Sequence, residues 1–74
     1  MNSRQNKKLG MELLQKTQIL SQNNAITTKE RIAIASSISE GMATGTFGGL
    51  KILLLEILAT TDLPEIVEEM ILSI

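Results

Sequence analysis

Residues 50–58, LKILLLEIL, constrain the fold more than any other segment, because they are apolar nearly all the way round a helix. Only Lys51 and Glu56 interrupt the run. A helix of this kind is normally buried on most of its sides. Each large aliphatic side chain that leaves water contributes about 1.5–3 kcal/mol, so a fold that left half of them wet would lose much of its stability. We therefore expect a helix over residues 50–60 at the centre of the packing.

The residue types that the chain lacks favour the same architecture. Phe47 is the only aromatic residue, so the core must be aliphatic, which favours helices over strands. Cysteine and histidine are both missing, which excludes disulfides and the usual structural zinc sites. A single domain of 74 residues is close to the lower size limit for a stable core, and oligomerisation is the remaining common remedy. The sequence predicts one all-α domain, residues 1–74, a small bundle of three to four helices that forms an oligomer.

Hydrophobic spacing and capping signals place the first two helices. Apolar residues recur at helical intervals from about residue 6 to residue 20, and SQNNA then breaks the pattern. Thr27 and Glu30 have the T-x-x-E spacing of a capping box, in which each side chain binds a free backbone N–H of the other residue. The second helix is therefore predicted to begin just after Thr27.

The last helix has a similar signal. Asp62 and Glu65 have D-x-x-E spacing, and Pro64 lies in the first turn, where its missing N–H does no harm. Apolar residues then mark one face up to Ile74. We expect Asp62 to cap this helix and the C-terminus to be docked on the core.

Small residues recur every four positions along the second helix and just beyond it. On a continuous helix they would share one face and let another backbone come close. The segment TGTFGG, residues 44–49, is nevertheless expected to cap the helix and turn, because glycine tolerates the left-handed conformation of a cap. A self-association interface is predicted from this face and from the apolar helix that follows: Ala33, Ser37, Gly41, Gly45, Leu50, Leu53, Leu54 and Ile57.

Catalysis is disfavoured by the residue inventory. Without histidine, cysteine or tyrosine the chain has no ordinary proton shuttle near neutral pH and no thiol nucleophile. Glu65, Glu68 and Glu69 share the polar face of the last helix, which is typical of a solvated surface rather than a metal site. We therefore expect no enzyme activity, no cofactor and no bound metal.

The distribution of charge and the length of the apolar helix indicate whether the chain could bind nucleic acids or cross a membrane. Residues 1–31 carry six basic groups, whereas residues 32–74 carry six acidic groups and only Lys51 as a base. This polarity suits association between copies, but there is no aromatic platform for bases, and the leucine side chains of LKILLLEIL cannot read base edges. Residues 50–59 as a helix span about 15 Å, half of a bilayer core. Nucleic-acid and membrane binding are disfavoured, and without a convincing export signal we expect a cytoplasmic location.

These observations predict a non-enzymatic helical protein that self-associates and engages a partner protein. Small size and missing catalytic groups are typical of accessory or inhibitory proteins of a phage, plasmid or bacterial regulatory circuit.

An alternative comes from two segments, LGMEL at residues 9–13 and TTKERIAIASSISEGMA at residues 27–43. They resemble helical-hairpin phage proteins that sequester nucleotide second messengers, over less than a third of the chain. The resemblance implies a homo-oligomer that binds a small anionic ligand. The residues that would contact such a ligand are Lys7, Lys8, Lys29, Arg31 and Phe47.

Overall fold

The computed structural model describes residues 3–74, and these residues form four α-helices and no strand. The expectation of an all-α fold is confirmed. In chain order the helices are α1 (Ser3–Gln22), α2 (Thr28–Thr44), α3 (Gly48–Leu58) and α4 (Pro64–Ser73).

Each helix packs against its neighbours in the sequence, and the bundle closes on itself. α1 lies against α2 and α3 against α4, while further contacts join α2 to α3 and α1 to α4. The described part of the chain measures 33 × 18 × 16 Å. Its long dimension matches the 20 residues of α1, which as a helix span about 30 Å. α1 therefore forms one full side of the bundle.

The core is aliphatic, as the composition requires, and every helix contributes to it. A second layer of half-buried apolar residues, which includes Leu9, Leu53 and Ile74, packs against it. The half-buried Ile74 agrees with the expected docking of the C-terminus. The buried apolar residues are Leu13, Leu20, Ala25, Ile26, Ile34, Ile38, Phe47, Leu50, Leu54, Ile57, Val67 and Met70.

The connection from α1 to α2 contains the predicted capping box. Thr27 Oγ1 accepts a hydrogen bond from the Glu30 N–H at 3.0 Å, and Glu30 Oε1 accepts one from the Thr27 N–H at 2.7 Å. α1 extends two residues beyond its predicted end. The reason is that the Asn23 side chain donates to the Ile19 carbonyl at 2.8 Å and the Ala25 N–H donates to the Leu20 carbonyl at 2.8 Å, which satisfies the last turn.

The connection from α2 to α3 is a turn, as expected for TGTFGG. α2 ends at Thr44, and Gly45 takes the left-handed conformation, φ 80°, and donates its N–H to the Gly41 carbonyl at 2.7 Å. Phe47 then folds its ring back over Gly41, where a Cβ would lie 2.3 Å from two ring carbons. α3 begins at Gly48, two residues earlier than the apolar pattern predicts.

A similar close contact explains the glycine within α1. A Cβ on Gly10 would lie 2.3 Å from the Met42 side chain. Gly10 and Gly41, which are both buried, therefore leave room for side chains of the same subunit.

The predicted cap of α4 is wrong. The residue at the N-cap position is Leu63, and no side chain caps the helix there. Asp62 is exposed and lies one residue before the N-cap position. Leu63 packs against the core, and Thr61 Oγ1 accepts a hydrogen bond from the Leu63 N–H at 3.1 Å. Packing of Leu63 therefore sets the start of this helix instead of the carboxylate. Pro64 does occupy the first turn, as expected.

Substituting Gly41 by alanine tests the ring contact. The added methyl group meets the Phe47 ring, and we expect Gly41→Ala to destabilise the fold by about 1–3 kcal/mol, the usual effect of overpacking. Gly49→Ala is the matched control, because no atom lies within 4 Å of its Cβ position. Alanine in that helical site is expected to stabilise by about 0.5–1 kcal/mol. Urea denaturation followed by circular dichroism measures both, and equal effects would contradict the proposed role of Gly41.

Candidate functional site

α3 divides its apolar side chains between two faces. Leu50, Leu54 and Ile57 point inward and are at most 2% exposed. The expectation of a helix at the centre of the packing, buried on most of its sides, is met only on this inner face. Leu53 and Leu58 are half-buried at the borders.

The opposite face of α3 is open to solvent and is also apolar. Ile52 is 64% exposed and Leu55 is 51% exposed, and the two lie one helical turn apart. The flanking Lys51 and Glu56 are exposed as well. This arrangement leaves two large aliphatic side chains in water with charged residues only at their edges.

α4 extends the exposed surface. Leu72 is 85% exposed, the most exposed large apolar residue in the described chain. It lines a groove of about 230 Å³ together with Leu55, Leu58, Ile71 and Glu68. We refer to Ile52, Leu55 and Leu72, with this groove, as the open apolar face.

The residues predicted for self-association lie mostly elsewhere. Gly41, Leu50, Leu54 and Ile57 are buried in the subunit, and Gly45 is the cap of α2. Ala33, Ser37 and Leu53 are half-buried. The buried side chains offer no free surface to a second copy, so an interface on α3 must use its outer residues.

Sequence reasoning missed the residues that are exposed. The signal that could have found Ile52 and Leu55 is the position of Lys51 and Glu56, because the only two charges of α3 mark its solvent side. No comparable signal marks Leu72, although Glu68 and Glu69 lie within one turn of it.

The residues suggested for an anionic ligand do not come together within one subunit. Arg31 lines a groove with Gln18 and Gln22 near the end of α1, whereas Lys7 and Lys8 lie near its start. The ten residues from Lys8 to Gln18 alone span about 15 Å. Lys29 is exposed in the first turn of α2.

Phe47, the proposed stacking residue, is buried and its ring lies on Gly41. It is therefore part of the core and presents no platform to a nucleotide base.

Two further grooves contain polar side chains and bear on the anionic-ligand alternative. The groove between α1 and α2, about 310 Å³, has Arg31 as its only cation, and its Thr17 hydroxyl already donates to the Leu13 carbonyl at 2.7 Å. The groove beside the α2–α3 turn, about 180 Å³, contains Glu40 and Thr46. The first groove therefore offers a single positive charge and the second a negative one, which is little electrostatic attraction for an anion.

Residues 3–74 contain neither a cluster of metal-binding side chains nor a membrane-spanning helix. No three acidic side chains there are grouped closely enough to hold a metal ion. None of the described helices combines the length and the hydropathy that crossing a bilayer requires.

Comparison with known proteins gives no relative: no protein-family model, no curated protein and no solved structure matches the chain. The assignment of function therefore rests on the residues and their arrangement.

Alanine substitutions on the two faces of α3 separate their roles. Leu54→Ala leaves a cavity in the core, and we expect it to lower the free energy of unfolding by about 2–5 kcal/mol. Leu55→Ala removes a half-exposed side chain and should lower it by less than about 1 kcal/mol. Urea denaturation of dilute protein measures both values. Similar losses would show that Leu55 also belongs to the core.

Proposed function

We propose that this chain is a non-enzymatic binding protein that acts through its open apolar face, by self-association and by engaging a partner protein. The observation that carries the proposal is the exposure of Ile52, Leu55 and Leu72 beside a core that is already closed. Burying such side chains releases about 25 cal/mol per Å² of apolar surface, which is the main driving force of protein association.

The clustering of these side chains distinguishes them from ordinary surface residues. Met11, Ile19 and Ile32 are also exposed, but they lie on α1 and α2 among polar neighbours. Single exposed apolar residues are common on soluble proteins. Ile52 lies one turn from Leu55, and Leu55 shares a groove with Leu72. A contiguous apolar patch with a charged rim is typical of a protein-binding surface.

The residue inventory supports binding rather than catalysis. The chain contains no histidine, cysteine or tyrosine, and the open apolar face holds only Glu68 as a titratable side chain. A hydrolytic or transfer reaction needs a base and a stabilising donor close to one point. We place the protein among cytoplasmic accessory or inhibitory factors, in which a small helical chain occupies a surface of its target. The ligand-sequestering alternative is weaker, because its basic residues are far apart and Phe47 is buried.

Size-exclusion chromatography with light scattering tests the self-association. We expect the wild-type chain, 8.1 kDa as a monomer, to rise toward twice that mass between about 10 μM and 1 mM, a range that matches a small interface. Leu55→Lys should remain monomeric, because it places a charge in the apolar contact.

Ile32→Lys is the matched control, since Ile32 is 55% exposed on α2 and Leu55 is 51% exposed on α3. The control should behave as the wild type does. A wild-type chain that stays monomeric throughout, or equal effects of both lysine variants, would contradict self-association through this face.

A further inference from the structure

The outer side of α3 has the residue spacing of a coiled-coil seam. Successive helical residues turn by about 100°, so Gly48, Ile52, Leu55 and Ala59 fall on one strip that faces away from the core. Their intervals of four, three and four residues are those of alternating d and a positions in a heptad. Ile52 occupies an a position and Leu55 a d position. Among parallel coiled coils, β-branched residues at a with leucine at d favour two strands over three or four.

The two charges of α3 border this strip on opposite sides. Lys51 occupies the g position that precedes Ile52, and Glu56 occupies the e position that follows Leu55. In a parallel pair, the g residue of one helix lies beside the e residue five positions later in the other helix. Two copies would therefore form two Lys51–Glu56 pairs, one on each side of the seam. In an antiparallel pair the two lysines would share one side and the two Glu56 carboxylates the other.

Glu68 is the nearest further charge on the open apolar face. It lies across the groove on α4, one helix away from the seam. Both Glu56 and Glu68 are exposed, so the repulsion between their carboxylates is reduced by water and salt. The charges next to the seam therefore favour the parallel arrangement.

The start of α3 offers room for a second helix. Beyond the backbone of its own helical turn, no atom lies within 4 Å of a Cβ position on Gly48, and the residue is exposed. Glycine weakens a helix, and no side chain of the subunit fills the space that this glycine leaves open at the edge of the groove beside the α2–α3 turn. A residue without a side chain on the strip lets two α3 backbones approach closely near their N-termini.

We propose that the open apolar face binds a second copy of this chain, with the two α3 helices parallel and related by a two-fold axis along them. Ile52 and Leu55 form the seam, Lys51 of each copy pairs with Glu56 of the other, and Leu72 adds apolar surface at the edge. This inference rests on the proposed function and specifies its geometry. The seam is only about 16 Å long, the length of an 11-residue helix, so the dimer is weak.

Disulfide cross-linking of introduced cysteines tests the relative orientation of the two α3 helices directly, because the chain contains no cysteine of its own. In a parallel dimer, the Gly48→Cys thiols of two copies meet across the seam, and we expect a disulfide-linked dimer on mild oxidation. Ala59→Cys should do the same at the other end of α3. In an antiparallel pair each position is about 16 Å from its own counterpart, too far for a disulfide, which needs Cα atoms within about 7 Å.

A mixture of the two cysteine variants tests the competing antiparallel arrangement. An antiparallel pair links residue 48 of one copy to residue 59 of the other, and mass spectrometry identifies this mixed dimer. Ser36→Cys, on the exposed side of α2, is the control for random collision. A predominance of mixed dimers, or no more cross-linking than the control gives, would overturn the parallel seam.

Charge reversal is the second test, measured as the dimer dissociation constant by sedimentation equilibrium. Lys51→Glu and Glu56→Lys should each weaken the dimer roughly threefold to tenfold, because each variant turns two attractive pairs into repulsive ones. The double variant should restore wild-type affinity. Residues 51 and 56 are five apart and do not face each other within one helix, so the restoration must act between copies.

The outcomes separate this inference from the proposed function. If Leu55→Lys abolishes self-association but the double variant fails to restore it and the thiols do not cross-link, the face binds a second copy in another geometry and the parallel seam is wrong. If the wild-type chain is monomeric at every concentration, both are wrong.

Discussion

The contact between the Phe47 ring and Gly41 determines how the second half of the chain meets the first. Phe47 is the only aromatic residue, and it lies immediately before α3. By packing on the backbone of α2 it turns the chain within three residues, with Gly45 supplying the left-handed conformation that the turn requires. The position of Phe47 then fixes the rotation of α3 about its own axis, which puts Leu50, Leu54 and Ile57 inside.

The exposure of Ile52 and Leu55 follows from this rotation. Because α3 is apolar nearly all the way round, any orientation would bury one set of aliphatic side chains and leave another in water. The orientation that the turn selects also leaves Lys51 and Glu56 in solvent. A charged side chain is far more expensive to bury unpaired than an aliphatic one is to expose, so these two charges and the Phe47 contact specify the same orientation.

The sequence correctly predicted those structural features that depend only on residues close together in the chain. The capping box of Thr27 and the turn at Gly45 were found because each depends on residues a few positions apart. The cap at Asp62 failed because Leu63 packs on the core one residue later, a tertiary effect with no local signal.

The same limit applies to the residues predicted for a site. The spacing of Gly41 indicated close approach of a neighbour, but only the fold shows that the neighbour is Phe47 of the same chain. Likewise the apolar pattern of α3 could not show which of its faces the bundle covers, although its two charges contained that information. Lys7 and Arg31, grouped by their charge, proved to be distant because α1 separates them along its length.

The core of this bundle is complete within one subunit. A chain of 74 residues without cysteine or histidine could have needed a partner to complete its core. Instead, twelve apolar side chains of residues 3–74 are buried within one subunit. The large apolar side chains that remain exposed are not part of this core. Leu72 makes the point most clearly, since at 85% exposure it contributes little to the core and would serve solubility better as a polar residue. Its presence beside Leu55 has a physical reason if another surface covers both, and substitutions there can change binding while leaving the bundle folded.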